Sequence, residues 1–163
     1  MGRIFHNVPL RRQPATWACW YTSYQMVVSF YRDQNLGRLL RDPSEDGETQ
    51  ALYTSNQGIN DSVAIYGTER ERIAKKLGFS VLYASLTEQG MENLLSHSPV
   101  IYDGYWPSNP STAHAIVIIG IDGDTLTIND PADGRRHTFN YNQFVGQYLL
   151  NFGEAPLIYV DKP

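Results

Sequence analysis

The stretch Gln13-Pro-Ala-Thr-Trp-Ala-Cys19-Trp20 holds residue types that suit one chemistry. Cys19 is the single cysteine of the chain, so its thiol cannot close an internal disulfide. Gln13 stands six residues upstream, with a side-chain amide able to donate to a developing oxyanion. A helix is expected to run from the cysteine. A thiol at a helix N-terminus beside an amide donor suits nucleophilic acyl transfer. The thiolate is the attacking species, so the thiol pKa is expected to fall from its ordinary value of about 8.5, helped by the helix N-terminus and a histidine.

Of His6, His97, His114 and His137, His114 is the best placed. It opens the apolar run His114-Ala-Ile-Val-Ile-Ile-Gly, where a strand end can present a side chain to a cleft on a rigid base. The other three are expected at the surface. A catalytic histidine needs an acceptor on its second nitrogen. Asp122-Gly123-Asp124 signals a hairpin turn, and the partner strand returns to Asn129-Asp130-Pro131 beside the start of the His114 strand. Strict alternation lets only one of Asn129 and Asp130 face the histidine, and the spacing leaves both open.

The elements that must hold these residues follow from periodicity. Trp20, Tyr24, Val27, Val28 and Tyr31 recur at helical spacing within 18–31, with Thr16 as a candidate cap. A second helix starts at a Thr68/Glu71 capping box and stops at Gly78. A third is capped by Thr87 and ends before Pro99. Strands are expected over 79–83, 100–105, 114–121, 125–129, 137–141 and 157–160, with a short helix or turn over 142–150. The run from His114 is apolar throughout, as a strand covered on both faces requires. Helices precede strands, which predicts an α+β fold with an antiparallel sheet. Residues 32–66 show no clear pattern, and the polar 41–48 segment reads as a surface loop.

Composition narrows the function. The chain has 163 residues, expected as one domain over 1–163, with 13 basic and 17 acidic residues and a net charge of −4. That balance argues against a nucleic-acid partner. The N-terminus lacks the apolar core of a signal peptide, and no apolar run is long enough to span a bilayer. No CxxC pair or ligand pair shows metal spacing, so neither a metal nor a cofactor is expected. Trp20 is expected in the core, while Trp17 and Trp106 are candidates for lining a substrate cleft.

Gln-x5-Cys-Trp, then His-Ala-x4-Gly, then Asn-Asp-Pro together resemble the papain-like cysteine peptidases. The pattern is closest to the bacterial AvrRpt2-type effector peptidases and the C39-like peptidases. The resemblance covers most of the chain and is weakest over 32–66. It implies a papain-like fold, with an N-terminal catalytic helix packed on a twisted antiparallel sheet. It further implies Cys19 as nucleophile, His114 as base and then acid, and Asp130 as the orienting residue. Gln13 and the Cys19 backbone N–H would form the oxyanion hole. Where papain has Asn-Ser-Trp this chain has Asn129-Asp130-Pro131, which leaves Asn129 as the alternative third member. The expected substrate is a peptide or protein amide. The expected setting is synthesis in a bacterial cytoplasm with export by a signal-less specialised secretion system, and an immunity or inhibitor protein as partner. Rival expectations are a peptidoglycan amidase, a deamidase or transglutaminase-like enzyme, and a binding module that kept the fold without activity.

Overall fold

The computed structural model describes residues 3–37, 39–55, 68–84, 86–106, 109–148 and 156–161. Its elements run β1 (Arg3–Phe5), α1 (Cys19–Arg32), α2 (Gly47–Ser55), α3 (Thr68–Lys76), β2 (Ser80–Leu82), α4 (Glu88–His97), β3 (Val100–Trp106), β4 (Asn109–Asp122), β5 (Thr125–Asp130), β6 (Arg135–Asn140), α5 (Tyr141–Tyr148) and β7 (Leu157–Tyr159). The strands form one seven-stranded sheet in the order β2-β7-β3-β4-β5-β6, with β1 on β4 beyond the end of β3. Every pairing is antiparallel.

The apolar run of β4 is explained by cover on both faces. Ala115, Val117 and Ile119 pack with Trp20, Tyr24 and Val27 of α1 and Ile73 and Leu77 of α3. Ile116 and Ile118 turn the other way, onto Leu95 of α4 and Phe144 of α5. Antiparallel sheets often keep one wet face with alternating polarity; covering both faces removes that alternation. Trp20 is fully buried and belongs to the cluster that fixes α1 to the sheet.

Helix boundaries follow local chemistry, with two departures. Gly78 has φ +99° and its N–H donates to the Lys75 carbonyl, which ends α3 where only glycine is unstrained. The Thr87 hydroxyl accepts from the Gly90 N–H at 3.1 Å and caps α4. The proposed Thr68 cap falls on a side chain outside the described residues. Thr16, expected as the cap of α1, instead lies in a 3-10 turn, Thr16–Ala18; Ala18 takes the N-cap position and no side chain caps the helix.

The second departure lies in the segment read as a surface loop. Asp42 and Glu45 form a reciprocal capping box around a 3-10 turn, Pro43–Glu45, and α2 follows. α2 carries no apolar stripe at helical spacing, so periodicity could not find it. Tertiary contacts hold it: Tyr53 stacks on Tyr21 of α1 at 3.8 Å between ring centroids, and Glu48 pairs with Arg72 and Lys76 of α3. Residues 56–67 lie outside the described part.

Candidate active site

The 3-10 turn delivers Cys19 as the first residue of α1. With no side-chain cap, the first-turn N–H groups stay available to the thiol. The Trp20 N–H serves Cys19 Sγ, and so does the Ala115 N–H of β4, which donates to the sulfur at 3.4 Å. The strand that bears His114 therefore also holds the thiol. Cys19 is 2% exposed.

His114 Nε2 lies 2.9 Å from Asp130 Oδ1, and both side chains are buried. The same oxygen accepts the Ala132 N–H at 2.9 Å. An ionised carboxylate only accepts, so Nε2 donates to it and Nδ1 is the ring nitrogen left for other chemistry. Burial works to raise the Asp130 pKa. The His114 hydrogen bond and charge, with the Ala132 N–H, outweigh it and leave the carboxyl below its ordinary range.

A β-bulge decides which residue of Asn129-Asp130 meets His114. Counting from the hairpin turn, Thr125 pairs with Asp122 and Thr127 with Gly120, but Ile128 then pairs with Ile118 and Asn129 with Val117. β4 has one extra residue there. An unbroken ladder would set Asn129 opposite Ile118, on the face that His114 shares. The bulge moves Asn129 to the α1 face and gives Asp130 the face of Ile116, Ile118 and His114. Asn129 accordingly donates from Nδ2 to the Val8 carbonyl at 3.1 Å and accepts from Arg136 Nε at 3.3 Å.

The Gln13 backbone N–H donates to the Pro131 carbonyl at 2.7 Å, which ties the N-terminal arm to the strand end carrying Asp130. Its side chain is half-buried, and Oε1 is buried with no hydrogen-bond partner. Trp17 is half-buried and packs on Tyr53 at 4.8 Å between centroids, so it supports α2. The Trp106 side chain lies outside the described residues. His97 is exposed, whereas His6 is half-buried with Nε2 on the Leu95 carbonyl at 2.7 Å.

The family model for the papain-like cysteine protease AvrRpt2 matches residues 3–149. The chain belongs to that family. Its members are cysteine peptidases, hydrolases of peptide bonds, so a peptide or protein substrate follows. The fold is similar to that of a C39-like peptidase from Bacillus anthracis, at TM-score 0.65 and 15% identity over 98% of each chain. It is also similar to a double glycine motif protease from an AMS/PCAT transporter, solved with the leader peptide, at TM-score 0.58 and 18% identity over 98% of this chain and 99% of that one. The Carica candamarcensis cysteine protease CMS1MS2, in complex with E-64, superposes at TM-score 0.56 and 12% identity over 100% of both chains. These likenesses establish the α+β papain-like fold, with the helix of Cys19 packed on an antiparallel sheet. No curated protein matches the chain.

The electrostatics of this AvrRpt2-family site differ from the expectation of a lowered thiol pKa. Burial first, and then the charge of Asp103, push the Cys19 thiol up to about 12; the Ala115 and Trp20 N–H groups pull it down, and Asp130 adds a smaller upward push. Burial and these charges disfavour the thiolate, and the N–H groups of Ala115 and Trp20 favour it. Asp103 was missed by sequence reasoning. The signal was a charged residue inside the apolar strand Val100-Ile-Tyr-Asp103.

Among the described residues, ligand-type atoms of Asp130, Asp133 and His137 lie within 4.8 Å of one another. Asp133 and His137 already pair, with Oδ2 and Nε2 2.7 Å apart. No described helix is long and apolar enough to cross a membrane.

Proposed function

We propose that Cys19, His114 and Asp130 are the catalytic triad of a peptidase that cleaves protein or peptide amide bonds through a thioester on Cys19. The observation that carries this reading is the 2.9 Å bond from His114 Nε2 to Asp130 Oδ1, on the strand whose Ala115 N–H contacts Cys19 Sγ. His114 Nδ1 takes the thiol proton as Sγ attacks the carbonyl carbon. The carbonyl oxygen gains the negative charge and is met by the Cys19 N–H and the Gln13 side-chain amide. The imidazolium then gives its proton to the leaving amine as the C–N bond breaks. Water, deprotonated by His114, attacks the thioester and releases the acid, and the thiol regains its proton. Asp130 fixes the tautomer and stabilises the imidazolium.

The biological role we assign is that of a bacterial effector or toxin, made in the cytoplasm and exported by a signal-less specialised route, with an immunity or inhibitor protein as its partner. Its support is the resemblance of the Gln13, Cys19, His114 and Asn129-Asp130-Pro131 motifs to effector peptidases.

Cys19→Ala and His114→Ala test the chemistry. Both are expected to abolish cleavage of a denatured proteome and leave the far-UV circular dichroism unchanged. Cleavage that survives Cys19→Ala excludes the thioester route. Bacterial expression with and without a periplasmic signal tests the role: toxicity in the cytosol that depends on Cys19 supports a protein target, and toxicity confined to the periplasm contradicts it in favour of murein.

A further inference from the structure

The sheet face that α1 covers is bare at its far end. Ala115, Val117 and Ile119 pack into the cluster with α1, but beyond the bulge the same face of β4 carries Gly120 and Asp122. Cross-strand partners share a face, so β5 adds Thr125 and Thr127 there, β6 adds Thr138, and β1 adds Arg3 and Phe5. These small and polar residues border a hollow of about 260 Å³.

Phe5 lines the hollow between two guanidiniums. Cζ of Arg3 and Cζ of Arg136 each stand 5.4 Å from the ring centroid, and the ring residue is still 40% exposed. Arg136 is held in place by neutral groups. It donates to Asn129 Oδ1 at 3.3 Å, to Asn7 Oδ1 at 2.8 Å and to the Val8 carbonyl at 3.0 Å. Neither Arg3 nor Arg136 forms an ion pair among the described residues. Asp122 pairs with Arg3 in the β1–β4 register without forming one. Two fixed positive charges without a counter-ion, set around an exposed apolar ring, complement a carboxylate with an apolar neighbour.

We propose that this hollow is an exosite that docks an acidic segment of a protein substrate, apart from the catalytic cleft. The inference rests on the peptidase reading for the owner of the segment. A polyanion such as nucleic acid suits the site poorly: Asp122 stands in its lining, and the whole chain carries a charge of −4. Isolated carboxylates spaced along a peptide meet the two guanidiniums without a second charge on Asp122. The site is also remote from the chemistry. Gly120 lies about 16 Å along β4 from Ala115, the residue whose N–H contacts Cys19 Sγ. The hollow is therefore reached by a distant part of a protein and not by the residues that flank the cleaved bond.

A fluorescein-labelled peptide of alternating Glu and Leu tests the docking, with a Gln/Leu peptide of equal length as its control. Full-length Cys19→Ala protein keeps the probe intact. Anisotropy is expected to show the Glu peptide bound at least about tenfold more tightly than the Gln peptide, and Arg3→Glu is expected to remove that preference. Equal affinity for the two peptides, or a preference that survives Arg3→Glu, overturns the proposal. Should Arg3→Glu disturb β1, backbone NMR of the Cys19→Ala protein locates the contact without it. The amides of Phe5, Thr127 and Thr138 are expected to shift with the Glu peptide; shifts confined to another surface, or the same shifts with inorganic phosphate at equal concentration, overturn it. With an active Cys19, Arg3→Glu is expected to lower kcat/KM about tenfold on a cleaved protein that carries an acidic segment, and to leave a short peptide spanning the same bond cut at the native rate. Equal losses on both substrates overturn the exosite. Glu-peptide binding by a protein that cleaves nothing would sink the peptidase reading and leave the acidic-segment site standing, whereas cleavage without such binding does the reverse.

Discussion

Asp130 Oδ1 meets His114 Nε2 at 2.9 Å because β4 carries an extra residue between Ile118 and Gly120. The bulge places Asp130 on the histidine's face and turns Asn129 toward Val8 and Arg136. The two adjacent residues are thereby separated into different roles, and their substitutions should fail in different ways.

Asp130→Asn keeps the shape but loses the charge and offers an amide where His114 needs a carboxylate. Turnover is expected to fall about 10²-fold or more with little change in the melting temperature. Asn129→Ala is expected to do the reverse. It leaves the Arg136 side chain and the Val8 carbonyl each short of a buried partner, costing about 1–3 kcal/mol of stability, while turnover per folded molecule stays within a few-fold. Paired thermal melts and peptidase assays separate the two outcomes, and the opposite pattern would assign the third position to Asn129.

Gln13 is held to the strand end by its main chain, through the 2.7 Å bond to Pro131, so its side chain can be removed without releasing the arm. Gln13→Ala is expected to lower kcat by about 10²–10³ with KM nearly unchanged, the mark of a donor that acts on the transition state. A change confined to KM would place Gln13 in substrate binding instead.

The bulge itself can be attacked at Gly120. A Cβ there would stand 2.6 Å from the Ile4 carbonyl oxygen of β1, with backbone on the other side of the contact. Gly120→Val is expected to cost about 1–3 kcal/mol and to lose activity beyond the unfolded fraction, because β1 and the β4 register shift together. Activity that tracks the folded fraction alone would show that the register survives.

Asp103 leaves its mark on stability against pH. Its folded pKa is raised from 3.8 to about 6, so the folded state holds a proton that the unfolded chain has already released. This group therefore lowers stability as pH rises from about 4 to about 6, by about 2–3 kcal/mol in all, and adds no slope above that range. Asp130 has the opposite sign: its lowered folded pKa contributes stability above the ordinary carboxylate range, lost as pH falls through the folded pKa. Urea unfolding across pH 4–7 is expected to show the Asp103 component in the native protein and its loss in Asp103→Asn. An identical slope in both proteins would contradict the assignment.

What was legible in the sequence depended on periodicity and on single-residue signals. α1 showed through Trp20, Tyr24, Val27 and Tyr31, and β4 through an apolar run that only a doubly covered strand requires. Cys19 was legible as a thiol at a helix start and His114 and Gln13 as residue types, although His114 lies inside β4, which begins at Asn109, and not at the strand end expected for it. The choice between Asn129 and Asp130 was not, because alternation counted from the turn is correct only for an unbroken ladder. Gly120 inside an apolar strand was the available sign of a bulge. α2 was hidden because ring stacking and ion pairs, rather than an apolar stripe, hold it to α1 and α3. Asp103 was hidden for a related reason: its environment comes from α1, α3 and β4, none of which its neighbours in sequence reveal.

The central claim is that Cys19, activated by a His114 that Asp130 orients, cuts amide bonds in proteins. Mass spectrometry of new N-termini tests it most directly, after a denatured bacterial or host proteome is incubated with the native protein, with Cys19→Ala or with Asp130→Asn. The account predicts a defined set of new termini with the native protein, none with Cys19→Ala and a strongly reduced set with Asp130→Asn. The same termini with Cys19→Ala, or no termini with the native protein alongside fragments released from murein sacculi, would contradict it.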